Sequence, residues 1–380
     1  MVRPGLLGGG VGDNGALEAF IEARVRADRV PGLSIAVVAS EGVRWVRGFG
    51  VADLVSAAPA GARTPYLWFS MTKIVTATAV TRLAGIGTLD LDAPVTEYFP
   101  GFAVVAQSRP VTIRHLLSHS SGLANPVPIR WVRPADAPPP DQTAFVKRLL
   151  ARHRRLKHAP GERAHYSNLG YLVLGEVVAT VAGSPFEEHV RAHVLAPLGM
   201  AHTGFTYADV GDERPATGYQ RLPAPLTPLL RVSLPAGVVA GRQDRYVAYR
   251  PFHVLGAAYG GLVGGVADAA RLALLHLNDG SLDGVCLLPA GLAAQIRVIT
   301  PRGGPLDVGL GWYRPAGRDP TFVEHLGGGS GFWNVIRLYP DAGLGVVVMG
   351  NATRYDHGPS WPRSPRLTDF EPGGSTLPRT

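Results

Sequence analysis

The sequence predicts an α/β (α+β) fold: an antiparallel sheet flanked by helices, built from N- and C-terminal segments, with a mostly helical stretch inserted between them. Three observations carry this. A helical pattern near the N-terminus runs directly into two strand-like runs. The two-residue strand period is then lost and returns only near the C-terminus. Between them lie apolar runs of helix length, Ile74 to Ala84 and Leu172 to Ala182. The expected division is residues 14–66 and 256–352 for the sheet part and 67–255 for the helical part. Residues 1–13 are expected to be a flexible tail, and residues 354–380, rich in Pro, Arg and Gly, a disordered or loosely draped one.

Taken in order, Leu17, Phe20, Ile21 and Val25 mark one face of a helix that Pro31 and Gly32 end. Leu33 to Ala39 and Val43 to Gly48 follow as strands joined by Ser40, Glu41 and Gly42, a hairpin. The helix containing Ser70 ends near Gly85. Thr112 to Leu123 predicts a short helix capped by Thr112 and closed by Gly122. Six prolines in 124–142 make a stiff surface loop that could wall a site. A helix over Gln142 to Arg152 and a turn at Tyr166 precede the apolar helix to Ala182. The Pro- and Arg-rich stretch Tyr207 to Tyr259 reads as loops and short helices bordering a pocket. Beyond glycine-rich Ala257 to Gly265 comes an amphipathic helix, Asp268 to Leu277. Strands are then expected at Val308 to Trp312, Thr321 to Glu324, Trp333 to Leu338 and Leu344 to Met349.

Composition excludes several classes. Hydrophobic content of 46% and charge of 17% describe a globular chain with ample core. The net charge of +8 is scattered, and its densest run, Arg148 to Lys157, reads as a solvated helix face, so no nucleic-acid partner is expected. Cys286 is the single cysteine, so no internal disulfide forms. Met1 to Gly12 has no signal-peptide pattern and no apolar run is long enough to span a membrane, so no membrane partner and a cytoplasmic location are expected. Gly8 to Gly12 follows no strand and fails as a dinucleotide loop. His115 and His119 have the spacing of zinc ligands, but nothing completes a shell. Both are expected to be structural, with no metal and no cofactor.

The chemistry points to Trp68-Phe69-Ser70-Met71-Thr72-Lys73. Ser70 and Lys73 are three apart, so on a helix they share a face. A serine hydroxyl needs a base to become a nucleophile, and an amine serves only if its pKa falls from roughly 10.4 toward neutrality. Arginine cannot do this. Of 37 basic residues only Lys73, Lys147 and Lys157 are lysines, and one of them follows a serine at this spacing.

Four motifs in order give this a family. Ser70-Met71-Thr72-Lys73, Thr112 to Leu123, Tyr166-Ser167-Asn168 and His325-Leu326-Gly327-Gly328-Gly329-Ser330-Gly331-Phe332 resemble the serine β-lactamase and penicillin-binding-protein superfamily, and most closely class C β-lactamases and family VIII carboxylesterases. The resemblance runs from Leu17 to Asn351 and implies a β-lactamase/transpeptidase-like fold. It implies Ser70 as the acylated nucleophile, Lys73 as its base and Tyr166 as proton shuttle, its phenol pKa lowered by two nearby cations. Asn168 would orient the lysine and the acyl group, or else cap a helix. Gly327 and Gly328 would pass the nucleophile, with the Gly328 and Ser70 N–H groups forming an oxyanion hole. The chain has no Gly-x-Ser-x-Gly elbow.

Two departures stand out. His325 occupies the place of a lysine in the β-lactamases and is expected to face substrate, and residues 354–380 do not resemble the family's closing helix. The implied activity is a carboxylesterase acting on small, short-chain acyl esters through an acyl-enzyme. The alternatives are a class C-like β-lactamase or D-alanyl carboxypeptidase, and a non-catalytic penicillin-binding-like sensor. The expected partner is a small-molecule ester, and the oligomeric state is left open.

Overall fold

The computed structural model describes residues 14–105, 109–300, 303–318 and 321–353, so both expected tails lie outside the described residues. Helix α1 (Asn14–Asp28) leads into strands β1 (Gly32–Ala39) and β2 (Gly42–Gly50). Helices α2 (Thr72–Gly85), α3 (Asn168–Ala182) and α4 (Val266–Leu277) follow. The chain then returns to strands β3 (Leu306–Val308), β4 (Tyr313–Pro315), β5 (Val323–Gly329), β6 (Phe332–Tyr339) and β7 (Leu344–Gly350). All seven strands make one antiparallel sheet in the order β3-β4-β5-β6-β7-β1-β2. The N- and C-terminal strands therefore meet in one sheet, as expected.

Strand β1 explains why that junction holds. Every one of its residues is buried, so it reads as a continuous apolar run and not an alternating one. Leu33, Ile35 and Val37 pack with Ile21, Val335 and Val348, joined by Leu17, Phe20 and Val25 of α1. Ala36 and Val38 face the larger core that includes α4 residues Leu272 and Leu275. Each such aliphatic side chain contributes about 1.5–3 kcal/mol when fully buried. Asn351 closes the seam: its Oδ1 accepts the Gly32 N–H at 2.6 Å, and its Nδ2 donates to the Val51 and Ala52 carbonyls.

Several expectations change in register or type. Gly309 to Trp312 is the turn between β3 and β4, closed by a Gly309 N–H to Trp312 carbonyl bond, and Gly311 has φ 95°. Strand β5 continues past Glu324 through three glycines, because pairing with β6 (Gly327↔Asn334, Gly328↔Trp333) supplies what glycine propensity withholds. The stretch Tyr207 to Tyr259 holds a three-stranded antiparallel sheet of Tyr219–Arg221, Val239–Gln243 and Tyr246–Tyr249, and Phe252–Val254 pairs with Val132–Pro134. These strands are three to five residues long, too short for alternation to register. Among the described residues no single helix is long and apolar enough to cross a membrane.

Candidate active site

Helix α2 is a core helix, buried on nearly all sides from Thr72 to Leu83. Its small residues make that possible, and Thr76 and Thr78 return their hydroxyls to the Ala258 and Ile74 carbonyls. Ser70 is not on the helix itself. It sits in a 3₁₀ turn, Phe69–Met71, that feeds α2. Phe69 has φ 46°, a left-handed conformation that costs a non-glycine residue about 1–2 kcal/mol.

The surroundings hold the turn in place. The Trp68 N–H donates to the Leu262 carbonyl at 2.8 Å, and its indole N–H to the Gly264 carbonyl at 3.2 Å. Asn334 Nδ2, reaching from β6, donates to the Leu67 carbonyl at 2.9 Å. Strand β5 runs alongside at backbone contact. A Cβ on Gly327 would lie 2.0 Å from the Trp68 carbonyl oxygen, and one on Gly329 would lie 2.1 Å from the Phe69 ring. Gly328, beside the nucleophile turn, is blocked on its own side by the Trp333 ring.

Lys73 is fully buried, and its Nζ lies 2.9 Å from Ser70 Oγ. One N–H donates to the Tyr259 carbonyl at 2.8 Å. The rings of Tyr166, Tyr259 and Tyr171 surround it at 5.0, 5.1 and 5.5 Å. Loss of water drives the amine pKa well below its ordinary value, with no acidic partner to hold it up. A neutral Nζ has one lone pair, and Ser70 Oγ is where it can accept a proton.

Tyr166 adjoins the same serine, and its ring centroid lies 5.0 Å from Lys73 Nζ, so three of the expected residues meet around Ser70 Oγ. Its acidity departs from expectation. Burial pushes the phenol above its usual value, opposed only by the Ser70 bond. The expected lowering needed cations, and the same dry environment pushes Lys73 toward its neutral form. The phenol therefore holds its proton and is suited to give it.

Asn168 is not the cap of α3, and the Lys73 amine bonds Ser70 Oγ and the Tyr259 carbonyl instead. The Asn168 Oδ1 is buried without a partner, and the residue before it, Ser167, caps α3 by accepting the Gly170 N–H at 3.1 Å. The lysine's orienting partner is the Tyr259 carbonyl. His325 is fully buried. Its Nδ1–H donates to the Leu326 carbonyl at 2.7 Å, its ring centroid lies 4.7 Å from that of Tyr313 and 6.2 Å from that of Tyr166, and Nε2 has no partner. Burial first, then Lys73, pushes its pKa down to about 3, so the ring is neutral.

His119 is the residue that sequence reasoning undervalued. Its ring stacks on Tyr166 at 4.3 Å, its Nδ1 accepts the Ser167 N–H at 3.1 Å, and its backbone is left-handed at φ 52°. The signal was its place in the Thr112 to Leu123 motif. His115, by contrast, completes a capping box with Thr112, so the two histidines do not converge on a metal. Among the described residues no group of three His, Cys, Asp or Glu is placed to hold one. A surface cavity of about 570 Å³ lined by Phe99, Thr143, Lys147 and Glu176 contains none of the Ser70 cluster.

Comparison with known proteins gives the chain its relatives. The Beta-lactamase family matches residues 17–367. Esterase EstB of Burkholderia gladioli is 32% identical, the alignment covering 93% of each chain. Protein flp of Staphylococcus aureus (strain MW2) is 25% identical over 88% of this chain, which spans only 62% of that longer protein. The octameric penicillin-binding protein homologue from Pyrococcus abyssi superposes with a TM-score of 0.73 at 26% identity, over 92% of this chain and 75% of that one. A sheet closed by its two ends, a buried lysine against a serine on a pinned turn, and a family match over most of the sequence lead to one conclusion: the protein belongs to the β-lactamase family.

Proposed function

We propose that the protein is a serine hydrolase, a carboxylesterase that cleaves short-chain acyl esters through an acyl-enzyme on Ser70. One observation carries the reading: a fully buried Lys73 amine, its pKa driven well below the ordinary value by loss of water, 2.9 Å from Ser70 Oγ. Lys73 takes the Ser70 proton as Oγ attacks the ester carbonyl carbon. The oxyanion is held by the Ser70 and Gly328 N–H groups, the second brought close by the missing Cβ at Gly327. As the C–O bond to the alcohol breaks, Tyr166 gives the leaving oxygen its proton and is recharged from the Lys73 ammonium. Water then cleaves the acyl-enzyme, restoring Ser70 and releasing the acid. A purely binding role has no use for a desolvated lysine, whose burial costs stability.

The neutral His325 favours esters over β-lactams. Penicillins and cephalosporins carry a carboxylate, and a permanent cation near it is absent here. The name of EstB points the same way. The test is labelling with a fluorophosphonate, which should mark Ser70, followed by kcat/KM for nitrophenyl butyrate against nitrocefin. The ester should win by about a hundredfold or more, as expected for loss of a charge contact plus slow deacylation. Comparable constants would favour the lactamase reading, and no labelling would favour a sensor.

A further inference from the structure

The large apolar side chains that remain exposed are concentrated. Of the eleven in the described chain, five fall on two segments. Val127 and Ile129, 74% and 53% exposed, lie on the loop after Asn125; Leu226, Leu229 and Val232, 45%, 65% and 75% exposed, lie on the turn and helix over Ala224–Leu226 and Thr227–Ser233. The Arg130 guanidinium donates to the Val232 carbonyl at 3.4 Å and joins the two segments into one face. That face borders the Ser70 site. Asn125 Oδ1 accepts the Asn168 N–H at 3.1 Å, and Trp131, at the far end of the loop, sets its ring 5.6 Å from that of Tyr259.

The charge on this face is predominantly basic. Residues 125–136 and 221–244 hold Arg130, Arg133, Arg221, Arg231 and Arg242 against Asp136 and Asp244, the latter paired with Arg245. Among the described residues none of the five forms a salt bridge. Arg242 is anchored on the neutral Leu222 carbonyl and Thr227 hydroxyl. A clustered apolar face on a globular chain marks a contact surface. A second copy meeting it face to face would set like cations against one another. A small substrate needs a concavity, whereas these side chains stand out from the surface. An anionic lipid surface satisfies both features, since apolar side chains enter the acyl boundary while guanidinium groups meet phosphates.

We propose that this face docks the protein on an anionic lipid surface, bringing the mouth of the Ser70 site to the interface. The proposal goes beyond the hydrolase reading and does not depend on it, because binding is read without turnover. The test is co-sedimentation of the full chain with phosphatidylglycerol–phosphatidylcholine vesicles and with phosphatidylcholine alone. Partitioning onto the anionic vesicles should be at least about tenfold greater and should fall as salt is raised. Leu229→Asp with Val232→Asp should weaken it about tenfold or more while soluble-ester turnover and Tm stay unchanged. Val127→Asp, on the other segment, should weaken it too and guards against a misfolded double variant. Failure to bind anionic vesicles, or binding that all variants retain, overturns the proposal. So does a solution dimer that the variants convert to monomer without vesicle binding, which would assign the face to a second copy.

Discussion

The Ser70 site has two unlike walls. On one side, strand β5 and the Phe69–Met71 turn touch backbone to backbone, with Gly327 leaving no room for even a methyl group. On the other, the loop from Asn125 to Trp131 touches the site by one hydrogen bond and one ring contact, and much of it is exposed. The first wall is dry, interlocked and strained at Phe69. The second is wet and loosely held. Chemistry needs donors and a base fixed to within a fraction of an ångström, which only close packing supplies. Selectivity can tolerate a wall that shifts.

The comparison breaks most visibly at the reacting atoms. Ser70→Ala should abolish acylation and lower kcat by at least about 10⁴-fold, and Lys73→Arg should be nearly as inactive as Lys73→Ala because a guanidinium cannot accept the proton. Mass spectrometry of the acyl-enzyme and nitrophenyl acetate turnover check both. An arginine variant within about tenfold of wild type would make the lysine's role electrostatic only.

Next comes the packed wall itself. Gly327→Ala places a methyl group against the Trp68 carbonyl, so the turn or the strand must move. Overpacking should cost about 1–3 kcal/mol or more in stability and about a hundredfold in kcat. Wild-type kcat in a soluble Gly327→Ala variant would show that the wall yields as easily as the loop does.

Dryness of the packed wall also sets the response to acid. The pKa values of His325 and His276 are pushed down to about 3 by burial, well below an unfolded value near 6.5. The unfolded chain takes up their protons first as pH falls. Stability is therefore intact above pH of about 6.5 and declines between there and about 3, by about 1.4 kcal/mol per pH unit for each ring. Tm against pH should show this fall, and a flat Tm down to pH near 4.5 would contradict it. For the same reason nitrocefin turnover should not rise between pH 7 and 6, since His325 gains no charge there.

The smallest effect belongs to the loop wall. Asn125→Ala removes the acceptor for the Asn168 N–H and should cost about 1 kcal/mol locally, a few-fold in kcat/KM. A loss as large as that of Gly327→Ala would erase the distinction between the walls.

Helix α1, the β1–β2 hairpin and strands β6 and β7 were legible because their apolar runs are long enough to register over several turns or pleats. The short strands over 219–254 were not, since three to five residues carry too little pattern. Of the site, Ser70, Lys73 and Tyr166 stood out by residue type and spacing, and the structure brings them together at Ser70 Oγ. The Tyr259 carbonyl could not have stood out, because a backbone oxygen has no sequence signature. His119 was read as structural because nothing in a helical spacing reveals a ring stacked on a tyrosine 47 positions later.

By itself the sequence determined which groups are present: a serine followed by one of three lysines, a tyrosine, a run of glycines, and apolar runs whose periods specify sheet and helix. Only the tertiary structure decided their protonation. Lys73 is pushed toward losing its proton, Tyr166 toward keeping its own and His325 toward the neutral ring for one main reason: packing around all three removes the water that would stabilise their charged forms.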